Sequence, residues 1–384
     1  MDISRYVDKT ELKFEVEFIT PCFLGGADSN AEIRVAPFKN LIRRWWRIAN
    51  GHLSSEELWK KEAELFGSTQ KNPDIVEANR SKKSSEKQPE IFGKSKVELK
   101  ILDKEKCKIS NNRNLLFPNE KLNHPEVSRP IEVETYLGMG PIFWNNEIKR
   151  QEYKFRYIEP NSKLFISLIV PKEEKKCFIG VLSLINFGGT IGSRSRNGWG
   201  SMIIRGIDFS LLDNIDSSCL IDFSAQFSTQ NQKQYPYGIV KDNKGILCWK
   251  TKEYPSWSEC MKELAEKYLK LRTAFKFCKT DEKKIEPRHL LGYPITHHGV
   301  EIWDIEKNEK TGKTKKINTR LPSQLIFKVI KKDDSKYYGQ VLHLSYCIPL
   351  KGFSIQEQKD IWTFVHGALD HNGWQRNVAG GNSK

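Results

Sequence analysis

Residues 187–202 read FGGTIGSRSRNGWGSM: five glycines, two arginines and no acid in sixteen positions. Glycine lets the backbone turn tightly and come close to a ligand, because no Cβ stands in the way. Arg194 and Arg196 add planar, permanently charged forks that match phosphate oxygens. A segment that is bare of side chains, rich in donors and positive suits a phosphodiester backbone. The same residues also fit a plain cluster of turns with two solvated arginines.

A second basic element lies at 32–51, EIRVAPFKNLIRRWWRIANG. Pro37 suits a first helical turn, and helical spacing predicts a helix over 37–52. Phe38, Leu41, Ile42, Trp45, Ile48 and Ala49 then share one side as a core stripe. Lys39, Arg43, Trp46 and Asn50 fall on another, with Arg47 beside them. On this placement Trp46 is an indole among cations on a solvent-facing surface, where bases stack at about 1–3 kcal/mol each. The competing reading has Trp46 covering a neighbouring element, as large aromatics usually do.

Other chemistry is weakly supported. Cleavage of RNA without metal needs a general base, most often histidine. The eight histidines are 52, 124, 289, 297, 298, 343, 366 and 371, and none lies in the glycine-rich segment. His52 alone adjoins a basic element; a polar residue at a helix end explains it as simply. His297 and His298 are adjacent, so on an extended segment they point apart and cannot easily share a metal. The eight cysteines are scattered without a CxxC pair, which argues against a zinc ribbon and for reduced, mostly buried thiols. No metal or cofactor is expected. TGKT at 311–314 resembles the end of a phosphate-binding loop, but Lys307 stands where the full motif needs glycine; the stretch reads as the tip of a lysine-rich hairpin.

These residues must be held by a fold. At 384 residues the chain has room for two or three domains, and a hydrophobic share of 38% is enough for real cores. Sixty-three Lys and Arg against forty-eight Asp and Glu give a net charge of +15, which favours an anionic partner, nucleic acid first. No apolar run of membrane-spanning length occurs, and the acidic start MDISRYVDKTELK does not read as a signal peptide; a cytoplasmic location is expected. Alternation predicts a strand over 12–19. A helix over 54–66 follows, with Ser54 and Glu57 as a capping box. The polar stretch 69–90 reads as a mobile insertion. Strands are expected at 95–102, 163–170 and 202–209, with a buried helix at 177–187. The polar segment 210–235 reads as a crossing into a second half, with helices at 256–278 and 354–371, strands at 323–331 and 340–348, and a disordered tail. Strand–helix–strands–helix–strand in each half predicts an α+β fold of two tandem ferredoxin-like (RRM-like, split βαβ) domains with insertions, divided as 1–215 and 216–384.

Taken together, the two basic segments resemble the RAMP superfamily of CRISPR-associated proteins. GGTIGSRSRNGWGS is similar to that superfamily's glycine-rich, arginine-bearing loop. The series TPCFLGG, EIR, FKNLIRRWWR and EAELFG is similar to the first RAMP subunit of type III-B (Cmr) RNA-targeting complexes. Asn40 departs from it, standing where that family commonly has glycine. The resemblance covers 12–67 and 185–203 specifically. It implies an antiviral-defence ribonucleoprotein subunit, non-catalytic, holding the 3′ region of guide RNA and its paired target RNA beside other RAMP subunits. Carried over by motif, Arg34, Lys39, Arg43, Arg44, Trp46, Arg47, Arg194, Arg196 and Asn197 would face RNA. The alternative is a metal-independent RAMP endoribonuclease that processes guide RNA precursor.

Overall fold

The computed structural model describes residues 8–26, 30–71, 77, 79–80, 91–110, 113–209, 219–227, 238–277, 284–307, 314–316, 319–333, 335–345, 352–371 and 373–376. Within them the chain is a mixed α+β fold with several sheets.

The first strand, β1 (Lys9–Phe18), buries Leu12, Phe14, Val16 and Phe18 on one face, as its period of two requires. Helices α1 (Val35–Ala49) and α2 (Ser55–Phe66) follow. Ser54 and Glu57 cap α2 reciprocally, as expected. Next come strand β2 (Glu98–Asp103), the short helix α3 (Val133–Gly138) and a hairpin of β3 (Ile142–Asn145) and β4 (Arg150–Tyr153). Strand β5 (Lys163–Pro171), the apolar helix α4 (Lys175–Gly188) and strand β6 (Met202–Arg205) complete the first half. The sheet order is β6-β1-β5-β2, antiparallel throughout. Helix α1 packs on α4, α2 and β2, so it is covered on more than one side.

The second half runs β7 (Gly238–Asp242), β8 (Cys248–Tyr254), α5 (Trp257–Ala274), β9 (Leu325–Lys331), β10 (Tyr337–Ser345), α6 (Ile355–His371) and β11 (Gln375–Arg376). Strands β9, β10, β8 and β11 lie side by side in that order, each pair antiparallel, while β7 pairs with the far end of β10. The first sheet, and the strands β8, β9, β10 and β11 within the seven-stranded second sheet, thus share the order fourth, first, third, second, with a helix following the first strand and another following the third.

The halves interlock. Ile326, Leu342 and Leu344 join the first core, whereas Ile19, Phe23 and Trp199 join the second. Glu17 of β1, almost wholly buried, pairs with Arg205 at 3.1 Å and with Lys331 of β9 at 2.9 Å. Burial pushes its pKa up, but Lys331 and Arg205 more than offset this and hold the carboxyl below its usual range.

Element positions differ from expectation mainly at the ends. The strand expected at 340–348 starts earlier, at Tyr337, and α5 stops at Ala274. The α3 helix and the β3–β4 hairpin have no counterpart in the sequence reading, because their apolar residues follow neither period for long enough. Most of the expected mobile insertion lies outside the described residues, apart from 77, 79 and 80; the strands Ser68–Lys71 and Ile91–Gly93 at its two ends pair. The tip of the lysine-rich hairpin, the proposed boundary near 215 and the C-terminal tail also lie outside the described residues; Ile305–Lys307 and Thr314–Lys316 pair on either side of that tip.

Candidate nucleic-acid interface

The glycine-rich segment starts at the C-terminus of α4 and returns into β6. It is tied at nearly every step to its own chain. Ser193 N–H donates to the Phe23 carbonyl at 3.0 Å and Gly200 N–H to that of Pro21 at 2.9 Å. The Thr20 and Ser201 hydroxyls both donate to the Gly198 carbonyl at 2.8 Å. Gly200 has φ +63, and a Cβ there would stand 1.8 Å from the Ile191 carbonyl oxygen. The side chain of Trp199 is fully buried against Phe23. The expectation that these glycines open the backbone to a phosphate is therefore corrected. They let two stretches of this chain, 20–23 and 191–200, come into contact.

The arginines of the segment part company. Arg196 is half-buried; its Nη1 donates to the Ser323 carbonyl and its own carbonyl accepts from Phe327 N–H at 2.9 Å. Asn197 Nδ2 donates to the Leu137 carbonyl at 2.8 Å. Both residues, expected to face RNA, fasten the loop to α3 and to the strand β9 of the other half. Arg194, at φ +56, is exposed, with its guanidinium lying across the backbone of Gly140.

Helix α1 places its aromatics inward. Trp45 is 2% and Trp46 1% exposed. The expected stacking role of Trp46 on a solvent-facing surface is corrected: α2 covers that side of the helix, and the indole meets Phe66 edge-on at 5.8 Å. The cations beside it are paired by a residue the sequence reading did not single out. Glu62 of α2, only 4% exposed in its side chain, accepts a hydrogen bond from Arg43 Nε at 2.5 Å and forms an ion pair with Arg47 at 3.2 Å. Arg44 is half-buried on the same helix. Lys39 is also half-buried; burial first, then the neighbouring Arg43, lowers its pKa. Arg34 is exposed and donates to the Gly25 carbonyl at 2.6 Å. The structure therefore brings Lys39, Arg43 and Arg47 together on α1, and Arg194 onto a separate surface at Gly140.

Lysine at 328 was also missed. It sits in the apolar run LIFKVI, and a lone lysine inside such a run signals a buried ammonium with dedicated partners. Its Nζ is fully buried in β9 and donates to the carbonyls of Ile185 at 2.9 Å and Asn186 at 2.6 Å, at the C-terminus of α4. Burial lowers its pKa to about 7. A helix C-terminus, with unpaired carbonyls and the negative end of the dipole, suits such a donor.

The histidines are spent on structure where the hydrogen bonds are visible. His366 Nε2 meets His343 Nδ1 at 2.9 Å, and His343 Nε2 meets Gln324 Oε1 at 3.0 Å; both rings are buried, which pushes their pKa values down, that of His366 to about 3. His289 accepts from Glu286 N–H and contacts the His298 carbonyl. His52 lies exposed beyond α1. Among the described residues no group of three or more His, Cys, Asp or Glu is placed to hold a metal. No helix among them is long and apolar enough to cross a membrane.

The family model of the RAMP superfamily matches residues 15–203, a span that runs from β1 through α1 and the glycine-rich loop to β6. The chain belongs to the RAMP superfamily. No curated protein matches it in sequence. Among solved structures, the RAMP chain is similar to Cmr1 from Pyrococcus furiosus in its apo form, with 16% identity, 94% of this chain and 97% of that one covered and a TM-score of 0.43. It is also similar to a chain of the type III-B Cmr-beta complex bound to cognate target RNA, at 13% identity, 94% and 100% coverage and a TM-score of 0.42.

Proposed function

We propose that this RAMP protein is a non-catalytic, RNA-binding subunit of a cytoplasmic type III-B CRISPR effector complex. It would hold the 3′ region of guide RNA and its paired target beside other RAMP subunits. Its two halves would be tandem ferredoxin-like units; the repeated order of strands and helices supports that reading. The observation that carries the function is the RAMP-matching loop, whose inner side is fastened to the protein while Arg194 stays exposed. A net charge of +15 supplies the long-range attraction for a polyanion. The non-catalytic part rests on His289, His343 and His366, which commit ring nitrogens to internal contacts.

Binding through backbone charge predicts little sequence preference and a strong response to salt. With about five phosphates neutralised, log K should fall against log salt with a slope near about −3.5 to −4.5. Fluorescence anisotropy with single-stranded RNA and with a guide–target duplex measures it. A flat salt response removes the proposal. The same incubations, run in EDTA with labelled repeat RNA, should leave the RNA intact; a discrete product lost in His52→Ala would replace this reading with the endoribonuclease.

A further inference from the structure

Strand β9 grips both limbs of the glycine-rich loop. Alternation splits its side chains between two neighbours. Phe327 and Val329 enter the second core, whereas Ile326 and Lys328 face the first half. On the outgoing limb, the last turn of α4 presents carbonyls that the helix itself does not fully use. Lys328 Nζ donates to those of Ile185 at 2.9 Å and Asn186 at 2.6 Å, and Gln340 Nε2 donates to that of Phe187 at 2.7 Å. Lys328 and Gln340 stand directly opposite one another in the register of β9 and β10, and both are buried. A Cβ on Gly188 would stand 2.6 Å from Leu342 Cδ2, so the end of α4 has no slack towards β10.

The returning limb is held by the backbone on either side of Lys328. Phe327 N–H donates to the Arg196 carbonyl at 2.9 Å, and Val329 N–H donates to the Ser201 hydroxyl at 2.9 Å. Three consecutive residues, 327–329, therefore fix where the loop leaves α4 and where it returns to β6. Arg194 lies between these anchors, exposed. All of these donors lie beyond 15–203, the span that the RAMP model matches. A loop anchored at both ends has little conformational freedom left to lose when its arginine meets a phosphate, and that preorganisation raises affinity. Release of one anchor leaves the charge at the surface unchanged and restores the freedom.

We propose that Lys328 and Gln340 are positioning residues for RNA binding: from the second half of the chain they clamp the end of α4 and so set how the glycine-rich loop presents Arg194. The proposal rests on the RNA-binding reading above and adds to it residues that do not touch RNA. Gln340 is the cleaner of the two, being neutral and 1% exposed.

The experiment is anisotropy titration of a fluorescein-labelled single-stranded RNA with the full-length chain over a series of salt concentrations, at a temperature where melting curves show each variant folded. Gln340→Met keeps the volume and removes the donor. It should weaken binding about three- to tenfold, and hydrogen exchange should quicken at the amides of 190–200. Arg194→Gln should weaken binding and reduce the salt slope by about 0.7, one single-strand phosphate contact. In the Arg194→Gln protein, Gln340→Met should add nothing, because it acts through that arginine. Lys328→Met tests the same clamp through its other donor, so a fold lost in one variant leaves the other to decide. Val365→Ala opens a cavity in the second core on α6; it should lower the melting midpoint and leave RNA affinity and loop exchange as in wild type. Clamp variants that match wild type in affinity and loop exchange, or that weaken binding equally in the Arg194→Gln protein, overturn the positioning role and leave the RNA-binding reading standing. An equal loss of affinity in Val365→Ala does the same, since it assigns the effect to general stability. Wild-type protein with no salt-dependent binding overturns both.

Discussion

Helix α1 and the glycine-rich loop have similar sequence signatures, with arginines next to tryptophan and few acids, yet the fold treats their charges in opposite ways. On α1, one buried carboxylate, Glu62, answers both Arg43 and Arg47. On the loop, Arg196 is turned inward onto a carbonyl, and Arg194 is left exposed without an ion-pair partner among the described residues. Both tryptophans adjoining these cations, Trp46 and Trp199, are core. The lesson is that a cation's availability is set by the counter-charge brought to it from elsewhere in the chain. Local sequence reports the cation but not its partner.

The loop side of this comparison is most easily broken at Gly200. Alanine there must adopt φ near +63 and push a methyl into the Ile191 carbonyl at 1.8 Å, backbone that cannot simply move aside. The expected loss is about 3 kcal/mol or more, or failure to fold. Gly180 in α4 is the control: a Cβ there meets nothing within 4 Å, so Gly180→Ala should be neutral or stabilising by up to about 1 kcal/mol. Denaturant melts of the two variants decide it. Equal stability would show that the loop's glycines are not required by packing, and would return them to a ligand.

The next largest effect concerns the bolt behind the loop. Lys328 is depressed by burial to about 7, far below the range of an unfolded lysine. Between about pH 7 and pH 10 the unfolded chain then binds one more proton at this residue than the folded one. Stability should rise with pH through that window, by about 1.4 kcal/mol per pH unit from this group alone. Other groups titrate there too, so the measurement is the difference from Lys328→Met, which should lack this slope. Parallel pH profiles for the two proteins would mean that Nζ stays charged in the fold, stabilised by the Ile185 and Asn186 carbonyls.

Much of this was legible beforehand, and the remainder has physical causes. Long elements with a clean period were readable: β1 by alternation, α2 by its Ser54–Glu57 cap, α4 by its unbroken apolar run. Their order predicts a mixed α+β chain, and the RAMP motifs in 15–203 stand in the sequence as written. Trp46 was misplaced because helical spacing assigns faces to one helix at a time, whereas α2 and Phe66 close over a second face. The roles of Arg196 and Asn197 depend on Ser323 and Leu137, more than 50 residues away, which no local pattern can supply. Lys328 is the exception, since its setting in LIFKVI marks it as buried; its partners at the end of α4 appear only in the fold.

The smallest expected effect is the sharpest probe of the comparison. Glu62→Gln keeps the size of the side chain but removes the charge that answers Arg43 and Arg47, both more than a third exposed. The fold should lose about 1 kcal/mol, since the arginines reach solvent and the new amide oxygen still accepts a hydrogen bond. Two cations freed on the α1 surface should then tighten RNA binding about threefold and steepen its salt slope, provided that RNA passes over this helix. Affinity and slope equal to wild type, with the melt confirming a folded protein, would take Arg43 and Arg47 off the RNA path. The interface would then lie on the Arg194 side of the molecule, and α1 would serve as scaffold.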